Sequence, residues 1–420
     1  MSAPRERRAV PRKVTRERAA RGAPARAKAT AVATPAKSAQ GYETVALVLQ
    51  GGGALGAYQC GVYEALHGAG IRPGWFAGTS IGAINAAILA GNAPERRIER
   101  LHEFWNTVCE PAGTFAWPAA VLRDALAWLP PTSVLSAWTG ALSAFGALAQ
   151  GQRGFFSARA LPPFAEAPGT AAATSFYDTA PLQSTLERLV DFDRINAGDV
   201  RLTVGATNVR SGNFRYFDSA KERIRPEHVM ASGALPPAFP AIDIDGEHYW
   251  DGGVVSNTPL EYLLESVPRS DTLVFQVDLW SARGIVPRNL LDVMERQKDI
   301  QYSSRTRLST DAVAARQRLR NALGMLLEEV PKKHLRPQLV ADLQPWLCDR
   351  VFNIIHLIYR AKPYEEQFKD YAFGTGAMRE HWTGGFDDMT RSLGHPEFFV
   401  PPPREIGAVT HDIHRRGDAA

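Results

Sequence analysis

Three short stretches of this sequence carry residue types that together could attack a carbonyl carbon. Gly78-Thr79-Ser80-Ile81-Gly82 has the G-x-S-x-G spacing, in which the serine sits on a sharp strand-to-helix turn with its hydroxyl exposed. Glycine on either side lets strand and helix pass closely, and a helix amino terminus behind the turn favours developing negative charge. Ser80 is therefore a candidate nucleophile. Such chemistry also needs donors for an oxyanion and a base for the hydroxyl proton. Upstream, Gly51-Gly52-Gly53-Ala54-Leu55-Gly56 can aim consecutive backbone N–H groups into a cavity with no side chain in the way. Downstream, Asp251-Gly252-Gly253 puts a carboxylate at the end of a hairpin-like stretch that begins at Ile244.

The elements that must position these residues are legible as changes of period. Val45 to Leu49 is a continuous apolar run, followed by the glycines and then by Val62, Ala65, Leu66 and Ala69 at helical spacing, ended by Gly70. The unit repeats: Phe76-Ala77 leads through the Ser80 turn into Ile81 to Ala90, apolar or small almost throughout, which predicts a buried helix. Further strands are predicted at Arg201 to Thr207, Phe214 to Phe217, Thr272 to Val277 and Val351 to Tyr359, with a helix over Leu182 to Val190. Strands alternating with helices predict an α/β sandwich around a mostly parallel sheet. The same glycine run also satisfies the G-x-G-x-x-G of dinucleotide sites. That reading needs an acidic residue about 20 positions further on, and none occurs between Glu64 and Glu95.

Taken together, the G-G-G-x-x-G loop, the G-x-S-x-G turn and the downstream D-G-G resemble the patatin-like phospholipase family. The resemblance spans about residues 45–260 and includes Ala231-Ser232-Gly233-Ala234-Leu235-Pro236-Pro237-Ala238-Phe239-Pro240. It implies a three-layer sandwich and acyl-ester hydrolysis by a Ser80–Asp251 dyad without histidine. An aspartate at its usual value of about 3.9 is a weak base for that role, so partial desolvation is expected to raise it, with Tyr249 and Trp250 as apolar neighbours that could contribute. Gly51, Gly52 and Gly53 would form the oxyanion hole, supported by Gly56, Gly78, Gly82, Gly252 and Gly253. No metal or organic cofactor is implied, and the substrate would be a lipid or another acyl ester. Members often carry Arg or Lys before the last glycine of the loop; here that residue is Leu55, which leaves backbone N–H groups and the helix terminus to stabilise the oxyanion. Two alternatives stand beside lipid ester hydrolysis: an esterase or thioesterase on soluble acyl substrates, and a lipid-binding protein of low activity. His248, near Asp251 in the hairpin, reads as a surface histidine rather than a triad member.

Composition sets the frame. The chain has 420 residues, 45% of them hydrophobic, ample for a large core, and a net charge of +4. Its first forty residues hold eleven Lys or Arg and two Glu, so this stretch carries +9 and the remainder −5. With four prolines and no Leu, Ile, Phe, Trp or Tyr, residues 1–41 are expected to be a disordered basic tail that could touch anionic membrane. The net-negative remainder and the lack of a reader motif argue against nucleic acid. Cys60, Cys109 and Cys348 form no C-x-x-C pair and read as buried thiols in a reducing compartment, which with no secretory signal points to the cytoplasm.

Residues 42–284 are expected to form the hydrolase domain, and 112–152 an apolar helical insertion carrying Trp117, Trp128 and Trp138, which reads most simply as a lobe packed on the core and alternatively as a cap over the site. Residues 285–420 read as a helix-rich extension like one found on some bacterial members. Within it Ala312, Ala315, Leu319, Leu323, Leu326 and Val330 form one predicted apolar helix face, with the arginines at 305, 307, 316, 318 and 320 on a solvated one.

Overall fold

The apolar runs become strands buried on both faces, as parallel sheets require. The computed structural model describes residues 34–110, 150–303, 306–360 and 369–413. In chain order the strands are β1 Thr44–Leu49, β2 Trp75–Thr79, β3 Gly151–Gln152, β4 Phe156–Ala158, β5 Tyr177–Asp178, β6 Arg201–Asn208, β7 Phe214–Asp218, β8 Ile242–Ile244, β9 Glu247–Asp251, β10 Thr272–Asp278, β11 Phe352–Ile358 and β12 Ala408–His411. The main sheet has the order β12-β11-β10-β1-β2-β6-β9-β8, with β7 paired to β6. From β12 to β6 every pairing is parallel, whereas β7, β9 and β8 join antiparallel. β3, β4 and β5 form a separate small sheet.

Alternation along the strands splits the core into two layers. Leu47 and Leu49 of β1 enter the larger layer, while Ala46 and Val48 enter the other. The helices that matter for the site are α1 Pro35–Ala39, α2 Ala57–Gly68, α3 Ile81–Ala90, α4 Arg97–Cys109, α5 Pro226–Ser232, α6 Leu260–Glu265, α7 Leu290–Ser303, α8 Thr306–Glu329 and α9 Thr375–Leu393. α2, α3 and α4 pack in the larger layer, together with Trp382 and Met389 of α9. α6 and Val313 of α8 cover the opposite face. This is the expected three-layer α/β sandwich, and α3 is buried at every residue.

The region after 285 is not a separate body. β11 pairs with β10 over seven residues, β12 extends the same sheet, and residues 33–420 form one unit. α9 lies on α2 backbone to backbone: a Cβ on Gly61 would fall 1.8 Å from the Trp382 carbonyl oxygen, and one on Gly385 would fall 1.9 Å from that of Tyr58. The Tyr58 hydroxyl donates to Asp388 at 2.7 Å in the same contact.

α8 turns a different face inward from the one its apolar spacing predicts. Leu319 is 70% exposed and Leu326 is also exposed, whereas Val313, Gln317, Arg320 and Asn321 are buried. The reason is the partners opposite them. Arg320 and Arg316 both pair with Glu265 of α6, and Gln317 donates to the carbonyl oxygens of Cys348 and Arg350 at 3.0 and 2.7 Å. Two of the arginines expected on a solvated face therefore tie α8 to α6; Arg318 is exposed, and Arg305 and the Arg307 side chain lie outside the described residues.

The expected tail ends sooner than residue 41, because α1 is helical and Ala39 is buried. Its first 33 residues, and residues 111–149 of the insertion with Trp117, Trp128 and Trp138, lie outside the described residues. Among the described residues no helix is long and apolar enough to cross a membrane. All three cysteines are buried and unpaired, and burial pushes the Cys109 thiol up to about 12.

Candidate active site

Register brings the three sequence motifs to one place. β1 pairs Leu49 with Gly78 of β2, β2 pairs Thr79 with Gly205 of β6, and β6 pairs Ala206 with Asp251 of β9. The glycine loop leaves β1, Ser80 leaves β2, and Asp251 ends β9 one step beyond the level of Thr79. This is the carboxyl end of the parallel strands, where open α/β sheets hold their ligands. β9 gets there through a two-residue turn, Asp245-Gly246, with φ of 55° and 85°, the left-handed pair that suits a tight hairpin.

Ser80 occupies a strained turn, with φ 56° and ψ −127°, and is half-buried at the head of α3. Gly78 and Gly82 make that turn possible: a Cβ on Gly78 would meet the Gly82 carbonyl oxygen at 2.2 Å, and one on Gly82 would meet that of Leu49 at 2.3 Å. The Ser80 N–H is held by α5, donating to the carbonyl oxygen of Ser232 at 3.1 Å and to its hydroxyl at 3.0 Å. The Ser232 hydroxyl in turn donates to the Gly205 carbonyl at 2.6 Å, locking the turn to β6.

Asp251 is 2% exposed. Burial pushes its acid up to about 7, opposed by the Ser80 hydroxyl and by the Gly253 N–H, which donates to its Oδ1 at 2.6 Å. Desolvation raises this acid as the sequence suggests. His248 stands apart from these residues. It alternates with Asp251 along β9, is 59% exposed, and lies 3.5 Å from Asp243.

In the glycine loop, Gly51 is gripped on both sides. Its carbonyl accepts from Trp280 Nε1 at 2.8 Å and Asn257 Nδ2 at 3.0 Å, and its N–H donates to the Asn257 carbonyl at 3.3 Å. Gly51, expected as an oxyanion donor, thus already has an acceptor for its N–H. The Gly52 N–H has none among the described residues. A buried polar set on the α6 side backs this grip: Gln50 Oε1 accepts from the N–H groups of Leu279 and Trp280, and Gln50 Nε2 donates to Thr258 Oγ1 and to the Tyr302 carbonyl.

Two family models match the chain. One, described as Patatin-like phospholipase, covers residues 47–264, and the other, described as Patatin phospholipase, covers 300–405. The chain belongs to the patatin-like phospholipase family. Membership makes it a hydrolase of lipid esters. Among solved structures it is similar to the crystal structure of VipD from Legionella pneumophila, with 16% identity over 89% of this chain and 72% of that one and a TM-score of 0.35. No curated protein matches the chain.

In this patatin-like phospholipase, Leu55 is fully buried in the larger core layer, so the position where members often place a cation faces the interior. Sequence reading missed Asn257, Trp280 and Gln50, and quoted Ser232 without a role. Only Asn257 offers a signal, an amide six residues beyond Asp251 in the same loop. Trp280 and Ser232 come from separate elements and Gln50 directly precedes the loop, but all three act by hydrogen bonds to distant parts of the chain that no spacing rule records.

Proposed function

We propose that this chain cleaves carboxylic ester bonds of lipids, as a phospholipase or lipase, through a Ser80–Asp251 dyad with the Gly52 and Gly53 N–H groups as oxyanion donors. The observation that carries this reading is the pairing of a serine in a strained turn with a fully buried aspartate whose acid is raised to about 7. A carboxylate so tuned is a far better base at neutral pH than one near 4.

The Asp251 carboxylate takes the Ser80 proton as Oγ bonds to the ester carbonyl carbon, and the carbonyl electron pair moves to oxygen facing the glycine loop. Collapse expels the alcohol, which leaves with the proton from Asp251. Water, deprotonated by Asp251, then attacks the acyl-enzyme, and the proton returns to Ser80 as the fatty acid departs. The helix terminus at Ser80 adds favourable potential for the oxyanion.

A fluorophosphonate probe should label the wild-type chain and not Ser80→Ala, and Ser80→Ala should lose at least about 10³-fold in hydrolysis of a long-chain phospholipid. Labelling that persists in Ser80→Ala would overturn the assignment. So would loss of hydrolysis in His248→Ala with activity retained in Asp251→Asn. Labelling without turnover of any lipid ester, but with turnover of a short ester or thioester, would move the substrate to the soluble acyl class.

A further inference from the structure

The region after residue 285 reaches the glycine loop directly. Gly53 sits at φ 55°, and a Cβ there would lie 2.3 Å from the main-chain carbonyl oxygen of Asp370, so the segment Lys369–Tyr371 is in contact with the loop backbone. That segment is tied down by ion pairs to a single helix. Lys298 of α7 donates to both carboxylate oxygens of Asp370, at 2.8 and 2.9 Å, and stands 5.1 Å from the centre of the Tyr371 ring. Lys369, with a side chain only 5% exposed, donates to Glu295 at 3.0 Å and Asp299 at 2.8 Å, one turn apart on α7.

α7 is itself fixed to the loop's other supports. The Tyr302 carbonyl accepts from Gln50 and from Asn257, each at 3.2 Å, and the Tyr302 ring packs 5.1 Å from that of Trp280, whose indole holds Gly51. Burial first, then the charges of Asp251 and Asp370, push the Tyr302 phenol up to about 12. Beyond the segment, Phe373 packs on Phe155, 5.9 Å between ring centres, beside the small sheet. With Arg296 standing 4.0 Å from Asp299, three cations face three carboxylates, so this cluster supplies a mechanical hold on the loop rather than a net charge.

We infer that Lys298 and the Lys369–Tyr371 strap are positioning residues that hold the Gly52 and Gly53 N–H groups where an oxyanion forms. The inference rests on reading Ser80 as the nucleophile and the glycine loop as its oxyanion site. Displacement of such donors by about an ångström costs on the order of 10²-fold in rate, so a loosened strap acts on turnover rather than on ground-state binding.

The test uses the full chain with Lys298→Met, Lys298→Gln and Lys298→Arg, assayed on a soluble short-chain ester. Turnover is normalised by fluorophosphonate titration, so that partly unfolded protein does not count as inactive enzyme. Lys298→Met and Lys298→Gln should lose about 10- to 100-fold in kcat with KM within about threefold. Affinity for an aliphatic trifluoromethyl ketone, which forms an oxyanion on the serine, should weaken in parallel, and Lys298→Arg should recover most of both. The inference fails if the normalised kcat of both neutral variants stays within threefold of wild type, or if kcat falls while ketone affinity holds. Failure of the catalytic reading itself looks different: wild-type chain that neither labels at Ser80 nor binds the ketone.

Discussion

As the proposed base, Asp251 works in a narrow window because one carboxyl must be both buried and ionised. Its acid lies near 7 in the fold and near 3.8 as an unperturbed group, so the folded state favours the protonated form. Stability from this group is fully present below about 3.8 and is lost as pH rises through 7. Asp251→Asn keeps the shape and the Gly253 contact without the charge. It should therefore be more stable than wild type above pH 7 by about 2–4 kcal/mol in urea unfolding, with the gap closing toward pH 4. Catalysis runs the other way: kcat/KM of the wild type should rise about tenfold per pH unit below 7 and level off above it. A rate independent of pH between 5 and 8 would remove Asp251 as the base. The residues proposed to react were legible in the sequence because the proposed chemistry demands local spacing: a serine between glycines, a glycine run and an aspartate before glycines. Ser232, Trp280 and Gln50 were not, since each acts through hydrogen bonds to distant parts of the chain and any hydrogen-bonding side chain at the right point in space would serve.

At the scale of elements, α8 shows where periodicity misleads. Helix and strand types follow from apolar spacing because burial on one or two faces leaves a repeat, and β1, β2, β10 and β11 all read correctly for that reason. Which face of α8 turns inward depends instead on Glu265, an acid held down to about 2: burial alone would raise it, but Arg320, Arg269 and Arg316 more than offset that. Its stabilising contribution is present above about 4.5 and is lost as pH falls toward 2. Glu265→Ala strands Arg320, 6% exposed, without its carboxylate and should cost about 3 kcal/mol, within the range for breaking a buried pair. Leu319→Glu, on the predicted apolar face, should change stability by no more than about 0.5 kcal/mol. If thermal unfolding ranked the two in the opposite order, the described orientation of α8 would be wrong.

For the whole molecule, composition divides the chain at 285 and hydrogen bonding does not. A fragment ending at 284 contains every catalytic motif yet leaves β10, buried at all seven residues, without the strand that covers its edge. It should be insoluble or unreactive toward fluorophosphonate, and a soluble fragment labelling like the full chain would contradict the described core. The backbone contact of α2 with α9 also sets a clock on the enzyme's birth. Tyr58 is translated 330 residues before its partner Asp388, an interval of roughly half a minute at ordinary elongation rates. The nucleophile's half of the core is thus made early and must wait, and Ser80 on a nascent chain should stay silent to the probe until α9 has cleared the ribosome. If that prediction holds, a lipid hydrolase assembled in this order has no working site to turn on a membrane while it is still being made.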